Sequence, residues 1–527
     1  LHILKEHGIK GLRYLNGIFA LAYLDCSAGK LYLARDPFGV KPLYYHQNDR
    51  NQLIFSSEIR PIQAMLRSAG ISFPAMATLL RLRFNPSPDT LNESVKKIRP
   101  GHYMQIDLNQ GCLASRHQPY ISKTPETKSC TPAAAIQQYG LKLEEAVKRQ
   151  LLSDVEVGIL LSGGIDSALV AALAQKHSTT PMKAFTIGFE GDNSEDEIED
   201  AAETAALLGL RHHYSKITFT DFIEKLEECA RIVEEPLATT SMIPMYFLAE
   251  MASKHVKVVL TGQGADEPLG GYPRYRSELI LKKIPAGIQG LLSTILRSNH
   301  FKNESLQRGI RMLGVVNETE RFLAGYQIFN NCEIFDLISF PDHLSSERVK
   351  YFSDLLDFGE RKHPAEKMMA LDARLNLADD LLTYTDKITM NFSLECRVPM
   401  LDLELVKFIE ALPYEHKLNL NQGKLIHRRF AETILPERII SRKKKPFRSP
   451  TKTWFKTNSG QIRDILLSGG SAFSRVFNQA AVKRIIEQHE QGFNKEKQLF
   501  LLLNIYYALK TLRQQVPEAA FVNPQEL

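Results

Sequence analysis

Leu160-Leu161-Ser162-Gly163-Gly164-Ile165-Asp166-Ser167 lies between an apolar run, Val155 to Leu161, and a segment, Ser167 to Lys176, whose apolar residues recur at helical spacing. A strand that ends in a Ser-Gly-Gly turn and passes straight into a helix is where open parallel sheets bind ligands. Two adjacent glycines let a phosphate approach the backbone, free N–H groups and the helix dipole favour negative charge, and Ser162 and Ser167 add hydroxyl donors. No Walker-A lysine follows, so the γ-phosphate cradle of a kinase is missing and a pyrophosphate matches better. Taken alone, the triplet also suits an ordinary turn capped by Asp166 or Ser167.

The flanking sequence decides between these readings. Met182 to Phe189 predicts a second strand; a helix follows the acidic stretch Glu195 to Asp200 and ends near Gly209; after another helical region Val256 to Leu260 predicts a third strand. Strands separated by helices imply a parallel sheet with right-handed crossovers, hence an α/β fold. The third strand runs into a second glycine-rich, acidic loop, Thr261-Gly262-Gln263-Gly264-Ala265-Asp266-Glu267-Pro268-Leu269-Gly270-Gly271-Tyr272. Two such loops at strand C-termini place Asp166 and Asp266 around a shared Mg²⁺–pyrophosphate, since hard cations take carboxylate and phosphate oxygens together. From Glu278 onward helical patterns dominate, and helices appended to the sheet are expected.

Upstream, Ile18 to Leu24, a turn at Ser27-Ala28-Gly29 and Lys30 to Ala34 predict a hairpin buried on both faces. Further strands are expected at Leu53 to Ser56 and His102 to Ile106, and a helix at Ile62 to Ser68. The stretch Gln118 to Pro132 has linker chemistry. The division is therefore 1–120 for a strand-rich domain, 121–134 for a linker and 135–527 for the sheet domain.

Composition removes other classes. The 527 residues carry 66 Lys+Arg against 60 Asp+Glu, a formal charge of +6, with 44% hydrophobic and 24% charged residues, as in ordinary globular proteins. So small a charge implies no nucleic-acid partner. The apolar run Leu499 to Leu503 is too short for a bilayer span and reads as a core helix, so no membrane association is expected. Six scattered cysteines without a C-x-x-C pair disfavour zinc and disulfides and suit a reducing cytoplasm. The chain opens Leu1-His2-Ile3-Leu4 without Met, which reads as a fragment whose start lies upstream.

With both loops in place, the sequence resembles the glutamine-dependent asparagine synthetase family, whose PP-loop is SGGxDS. The resemblance extends through Ala34-Arg35-Asp36-Pro37-Phe38-Gly39-Val40-Lys41-Pro42-Leu43-Tyr44-Tyr45, Phe55-Ser56-Ser57-Glu58-Ile59, Asp386-Lys387-Ile388-Thr389-Met390, Ser393 to Asp402, Gly423-Lys424 and Arg442-Lys443-Lys444-Lys445-Pro446-Phe447. It implies an N-terminal αββα sandwich of the Ntn-type class II amidotransferase kind, incomplete here, followed by a parallel-sheet PP-loop domain related to the adenine nucleotide alpha hydrolases. It implies a cytoplasmic enzyme using ATP and Mg²⁺, with aspartate and glutamine or ammonia as small-molecule substrates, and homodimerisation. A substrate carboxylate would attack the α-phosphorus of ATP, release pyrophosphate and then yield an amide to ammonia.

The resemblance places ATP and its pyrophosphate on Leu161, Ser162, Gly163, Gly164, Asp166, Ser167, Ile187, Thr261 and Gly262, with Leu161, Ile187 and Phe189 as walls for the adenine, although ordinary core is the commoner role of apolar strand residues. Asp166 and Asp266 would hold the metal. Asp266, Glu267 and Lys444 form the catalytic set, the lysine near the α-phosphate; the bare alternative for Arg442 to Lys445 is a solvated basic run. Glu395 and Arg397 would contact substrate or else form a structural ion pair. Gln263 departs from the acidic residue frequent at its position and cannot act as a base, which opens the alternative of another carboxylate acceptor. The N-terminal catalytic Cys of class II amidotransferases has no counterpart at Leu1, so the chain as written is expected to lack glutaminase activity, its first domain a remnant or a scaffold. A non-catalytic protein keeping the fold is a third reading, opposed by the retention of Asp166, Asp266 and Lys444.

Overall fold

The computed structural model describes residues 1–48, 52–66, 70–109, 114–121, 123–191, 196–297, 304–359, 362–442, 445, 447 and 449–513. The first domain holds two antiparallel sheets. One runs β1 (Ala20–Asp25), β2 (Lys30–Arg35), β6 (His102–Asp107), β7 (Ala114–Pro119), and the other runs β4 (Leu53–Ser56), β3 (Tyr44–Gln47), β5 (Lys96–Lys97). Strand alternation sends Leu33, Met104 and Ile106 toward Leu43 and Ile98 between the sheets. The opposite face of β2, Tyr32 and Ala34, packs on Leu4 and Leu12 of the N-terminal helical segment. The helix Ile59–Leu66 covers the second sheet through Ile59 and Ile62. Four layers, α-β-β-α, result, as expected.

The expected hairpin is buried on both faces only in its second strand. β1 is the sheet edge and alternates exposed with half-buried residues, because among the described residues no strand pairs with its outer side. Its apolar residues gave no hint of that position. The helix at 62–68 begins earlier, at Ile59, and residues 67–69 lie outside the described set.

The second domain carries a five-stranded sheet in the order β10 (Arg211–Ile217), β9 (Lys183–Phe189), β8 (Val157–Leu160), β11 (Val258–Leu260), β12 (Glu395–Arg397), all neighbours parallel. Numbered along the chain the order is 3-2-1-4-5, so the sheet reverses direction of growth between β8 and β11. A crevice opens at such a switch point. β8 and β11 are buried throughout, as continuous apolar runs in a covered parallel sheet must be. The second glycine-rich loop therefore leaves the sheet beside the first. β10 replaces part of what read as helix, its mixed Arg-His-His-Tyr-Ser-Lys sequence being that of an exposed sheet edge. The helix Pro132–Leu151 begins within the segment read as linker, with Thr131 as its N-cap. Leu499 to Leu503 lie in a buried helix, Glu496–Arg513. No helix among the described residues is long and apolar enough to cross a membrane.

The loop after β2 joins the two domains. Asp36 folds it by accepting from the backbone N–H groups of Phe38, Val40 and Lys41 at 3.1, 3.0 and 2.9 Å. Phe38 and Val40 are thereby pushed into a cluster with Leu377, Leu382, Val398 and Leu401 of the second domain. Lys41 Nζ reaches Asp386 Oδ1 at 2.7 Å, and Lys387 pairs with Glu234, which also accepts from the N–H groups of Ile59 and Arg60 at 2.8 Å.

A second contact makes docking pH-sensitive. The buried His102 ring sits with Nδ1 2.7 Å from Pro100 O and Nε2 2.8 Å from the Tyr351 hydroxyl. The carbonyl can only accept, so Nδ1 carries the proton and Nε2 accepts from Tyr351. Burial, aided by Arg99, pushes the imidazole pKa from 6.5 down to about 4. The unfolded chain then binds the proton more readily, so stability is full above pH 6.5 and is lost as pH falls toward 4. One pKa unit is worth about 1.4 kcal/mol, so the loss amounts to about 3 kcal/mol. Urea unfolding of His102→Gln across this window should show an acid limb shallower by that amount; identical limbs would refute the assignment.

Candidate active site

The turn after β8 is held from within by its own serines. The Ser167 hydroxyl lies 3.0 Å from the Ser162 N–H and 2.8 Å from Ser162 Oγ, and Gly164 N–H donates to Ser162 Oγ at 3.2 Å. These bonds shape the loop ahead of the helix Ile165–Lys176, whose first turn carries Asp166. Gly262, in the neighbouring loop, packs directly on that turn: a Cβ there would stand 2.6 Å from Ser167 N and 2.7 Å from Asp166 C. Any side chain at 262 would force the loops apart. The expected set Ser162, Gly163, Gly164, Asp166, Ser167, Thr261 and Gly262 is thus brought to one place.

The two acids meet across a residue whose role sequence reasoning missed. Lys424 Nζ lies 2.6 Å from Asp166 Oδ2 and 2.8 Å from Asp266 Oδ1. Burial draws this ammonium toward neutrality, but the two carboxylates outweigh it and hold it charged, above the ordinary lysine range. Lys424 is also one of few non-glycine residues in the left-handed region, at φ +58°, immediately before the helix Leu425–Ala431. Such strain gathers at functional sites. The Gly423-Lys424 pair was visible in the sequence, yet 258 positions separate this lysine from Asp166, and no local pattern spans that distance.

A divalent ion fits this place. Two carboxylates from different loops already converge on one cationic nitrogen, and their oxygens are the hard donors Mg²⁺ prefers. No group of three or more His, Cys, Asp or Glu suited to a metal occurs among the described residues. Phosphate oxygens and water would complete the shell, as is usual for Mg²⁺.

Glu267, next to Asp266, is buried and accepts from the Tyr272 hydroxyl at 2.9 Å. Burial, then the charge of Asp266, pushes its carboxyl upward. Arg442 and Lys445 border the phosphate loop: Arg442 reaches Gly163 O at 3.3 Å, Thr204 Oγ1 at 2.7 Å and Glu203 Oε2 at 2.5 Å, while Lys445 pairs with Asp200 at 2.7 Å. These residues are built into the site's edge, unlike a solvated run. Lys444 itself lies outside the described residues.

The side chains of the remaining candidates are engaged elsewhere, although the Arg397 carbonyl accepts from the Thr261 N–H at 3.0 Å. Arg397 pairs with Glu395 at 2.9 Å and donates to the carbonyls of Gln150 and Leu152, both at 2.8 Å, at the end of the helix Pro132–Leu151. These contacts make it a structural clasp between sheet and helix. Leu161 and Ile187 are 3% exposed and belong to two separate apolar clusters, and Phe189 packs edge-on to Trp454. All three contribute to the core.

Gln263 is held at both ends. Its Nε2 donates to Leu381 O at 3.3 Å and its Oε1 lies 3.1 Å from the Thr385 hydroxyl. Leu381 closes a π-helical turn, Leu377–Leu381, that faces the first domain's loop. An acid at 263 would lose the donor and set a carboxylate against a carbonyl. Gln263→Glu is therefore expected to destabilise by about 1–3 kcal/mol in urea unfolding, the usual cost of a broken, partly buried polar pairing. A neutral or stabilising effect would show that the amide is not the preferred group.

A phosphate loop at the switch point of a parallel sheet, docked on an αββα sandwich, defines a PP-loop synthetase domain joined to an amidotransferase-type domain. The asparagine synthase family matches residues 138–513 and the glutamine amidotransferase domain family matches residues 1–120. The chain belongs to the asparagine synthase family. It is 30% identical over 526 residues to glutamine-hydrolyzing asparagine synthetase 1 of Bacillus subtilis, spanning 97% of this chain and 80% of that one. It is 29% identical over 530 residues to a putative glutamine-hydrolyzing asparagine synthetase of Mycobacterium tuberculosis, spanning 97% and 79%. It is 26% identical over 494 residues to amidase chry2 of Gibberella zeae, spanning 85% and 72%.

Proposed function

We propose that the chain is an ATP-dependent ligase that makes asparagine from aspartate, with ammonia as nitrogen donor, derived from glutamine in the full-length protein. The observation that carries this reading is the meeting of Asp166 and Asp266 across Lys424 beside the serine-pinned phosphate loop. In the first step a carboxylate oxygen of aspartate attacks the α-phosphorus, the bond to the β-phosphate oxygen breaks, and an acyl-adenylate and pyrophosphate form. The loop N–H groups, Ser162, Ser167 and Lys424 receive the negative charge that builds on the leaving diphosphate. Mg²⁺, when bound by Asp166 and Asp266, supplies charge neutralisation and fixes the pyrophosphate. In the second step the ammonia lone pair attacks the acyl carbon, the bond to AMP breaks, and a proton leaves the nitrogen. Lys444 is assigned to the α-phosphate and Glu267 to supporting the loop that carries Asp266. Glu395 and Arg397 have no part in this scheme because their polar groups engage each other and a helix end.

Gln263 favours one further reading, the same adenylation on a different carboxylate. Exchange of labelled pyrophosphate into ATP, measured with a panel of carboxylic acids, separates the two. Exchange that depends on aspartate supports asparagine formation; exchange with another acid alone moves the chain to the second reading; and no exchange with any acid removes adenylation.

A further inference from the structure

Beside Asp166 lie two side chains that neither the motifs nor the scheme above employs. Tyr139 and His427 are wholly buried, and the Tyr139 hydroxyl is 2.6 Å from His427 Nδ1. The other ring nitrogen, Nε2, is 3.3 Å from Asp166 Oδ1. We propose that His427, locked in one tautomer by Tyr139, is a positioning residue that anchors Oδ1 of Asp166 and presents Oδ2 to the divalent ion of metal–pyrophosphate. This rests on the metal role given to Asp166 above.

The tautomer follows from pairing donors with acceptors. A proton on Nδ1 would leave the Nε2 lone pair facing a carboxylate oxygen. A proton on Nε2 lets Tyr139 donate to Nδ1 and turns an N–H, not a lone pair, toward the Asp166 carboxylate. Tyr139 is a dependable donor, since burial and the nearby Asp166 hold its hydroxyl well above the usual phenol range. An N–H group oriented this way by a third residue is the arrangement that fixes metal-binding side chains elsewhere.

His427 Nε2 is within reach of Asp166 but out of alignment, and it makes no hydrogen bond among the described residues. The misalignment has a visible cause. Lys424, one helical turn before His427, draws Oδ2 toward itself at 2.6 Å. Release of Oδ2 to another cation lets the carboxylate rotate and close the bond from Nε2. The ring cannot back away to accommodate Asp166 instead. The helices Pro132–Leu151 and Leu425–Ala431 are in such close contact that the Phe430 ring lies over Gly140, its Cδ2 2.7 Å from where a Cβ would stand, and Tyr139 packs edge-on against the same ring at 5.9 Å. The dyad is thus a rigid backstop to a movable carboxylate.

The test uses the full chain and His427→Leu, His427→Gln and Tyr139→Phe, with calorimetric titration of Mg²⁺ in the presence of pyrophosphate as the readout, so no turnover is required. His427→Leu should weaken Mg²⁺–pyrophosphate binding about tenfold, the lower end of the effect of such outer partners. His427→Gln, whose amide N–H reaches the Nε2 position, should recover most of it, and Tyr139→Phe should fall between. Unfolding midpoints measured alongside report folding. A folded His427→Leu that binds like the wild type overturns the proposal, and so does a His427→Gln as weak as His427→Leu, which would mark packing as the cause. Failure of the wild-type chain itself to bind would overturn the metal role of Asp166 along with it.

Discussion

Asp166→Asn should abolish carboxylate-dependent exchange of pyrophosphate into ATP, lowering its rate by about a thousandfold or more. The substitution keeps the shape of the side chain and removes one charge. What remains beside the phosphate loop is Asp266 paired with Lys424 at 2.8 Å, a neutral couple with no surplus to attract a divalent ion. A thousandfold loss corresponds to about 4 kcal/mol of transition-state stabilisation, the scale on which charged groups act on a leaving phosphate. Instability is too small a rival explanation. The buried ammonium keeps one carboxylate, so the variant should lose about 1–3 kcal/mol of stability, and a protein with about 5–15 kcal/mol in hand stays folded. Exchange assayed with saturating Mg²⁺, together with a urea melt, distinguishes the two. Exchange within about tenfold of wild type in a folded Asp166→Asn would take this carboxylate out of the reaction.

That carboxylate, its serines and the second loop were all legible in the amino-acid sequence, and for one physical reason. A strand, a glycine turn and a helix N-terminus are local features, and parallel topology brings their ends to the same edge of a sheet. β8 and β11 are neighbours flanking the point where the strand order reverses, so the loops carrying Asp166 and Asp266, 100 positions apart in the chain, form one crevice. Residues that close the crevice from outside the sheet were not legible. Lys424, Tyr139 and His427 come from helices packed against it, and their partnership depends on Gly140 admitting the Phe430 ring, a contact no periodicity announces. Apolar strand residues misled in the opposite direction. Leu161 and Ile187 occupy strand ends near the site, but their side chains point into separate cores above and below the sheet. Arg397 read equally as a substrate clamp or a structural ion pair, and its guanidinium engages Glu395 and the carbonyls that end a helix.

The docking of the two domains depends on another buried carboxylate, and Asp379→Ala should destabilise the chain by about 3–5 kcal/mol. Asp379 sits in the π-helical turn Leu377–Leu381 and is 1% exposed. It accepts from the Ser87 N–H at 2.6 Å and the Ser87 hydroxyl at 2.7 Å, and it faces Arg35 at 3.4 Å and Lys97 at 3.9 Å. Those cations are themselves almost fully buried, at 1% and 3% exposed. Arg35 would keep its bonds to the carbonyls of Lys41, Gly39 and Ile98, at 2.8, 2.8 and 3.1 Å. Carbonyl dipoles satisfy its donors without neutralising its charge. Lys97 would keep Asn85 O at 2.6 Å and a distant Glu235 at 3.8 Å. Removing one member of such a network strands charge in a low-dielectric interior, which costs about 3–5 kcal/mol, whereas an exposed pair would cost under about 1 kcal/mol. Since the same turn carries Leu381, whose carbonyl holds Gln263, the loss should reach the glycine-rich loop and lower exchange activity as well. Equilibrium unfolding in urea measures the first effect. A destabilisation below about 1 kcal/mol would mean that water reaches Arg35 and Lys97 once the carboxylate is gone, and that the first domain is seated by the apolar contacts of Phe38 and Val40 alone.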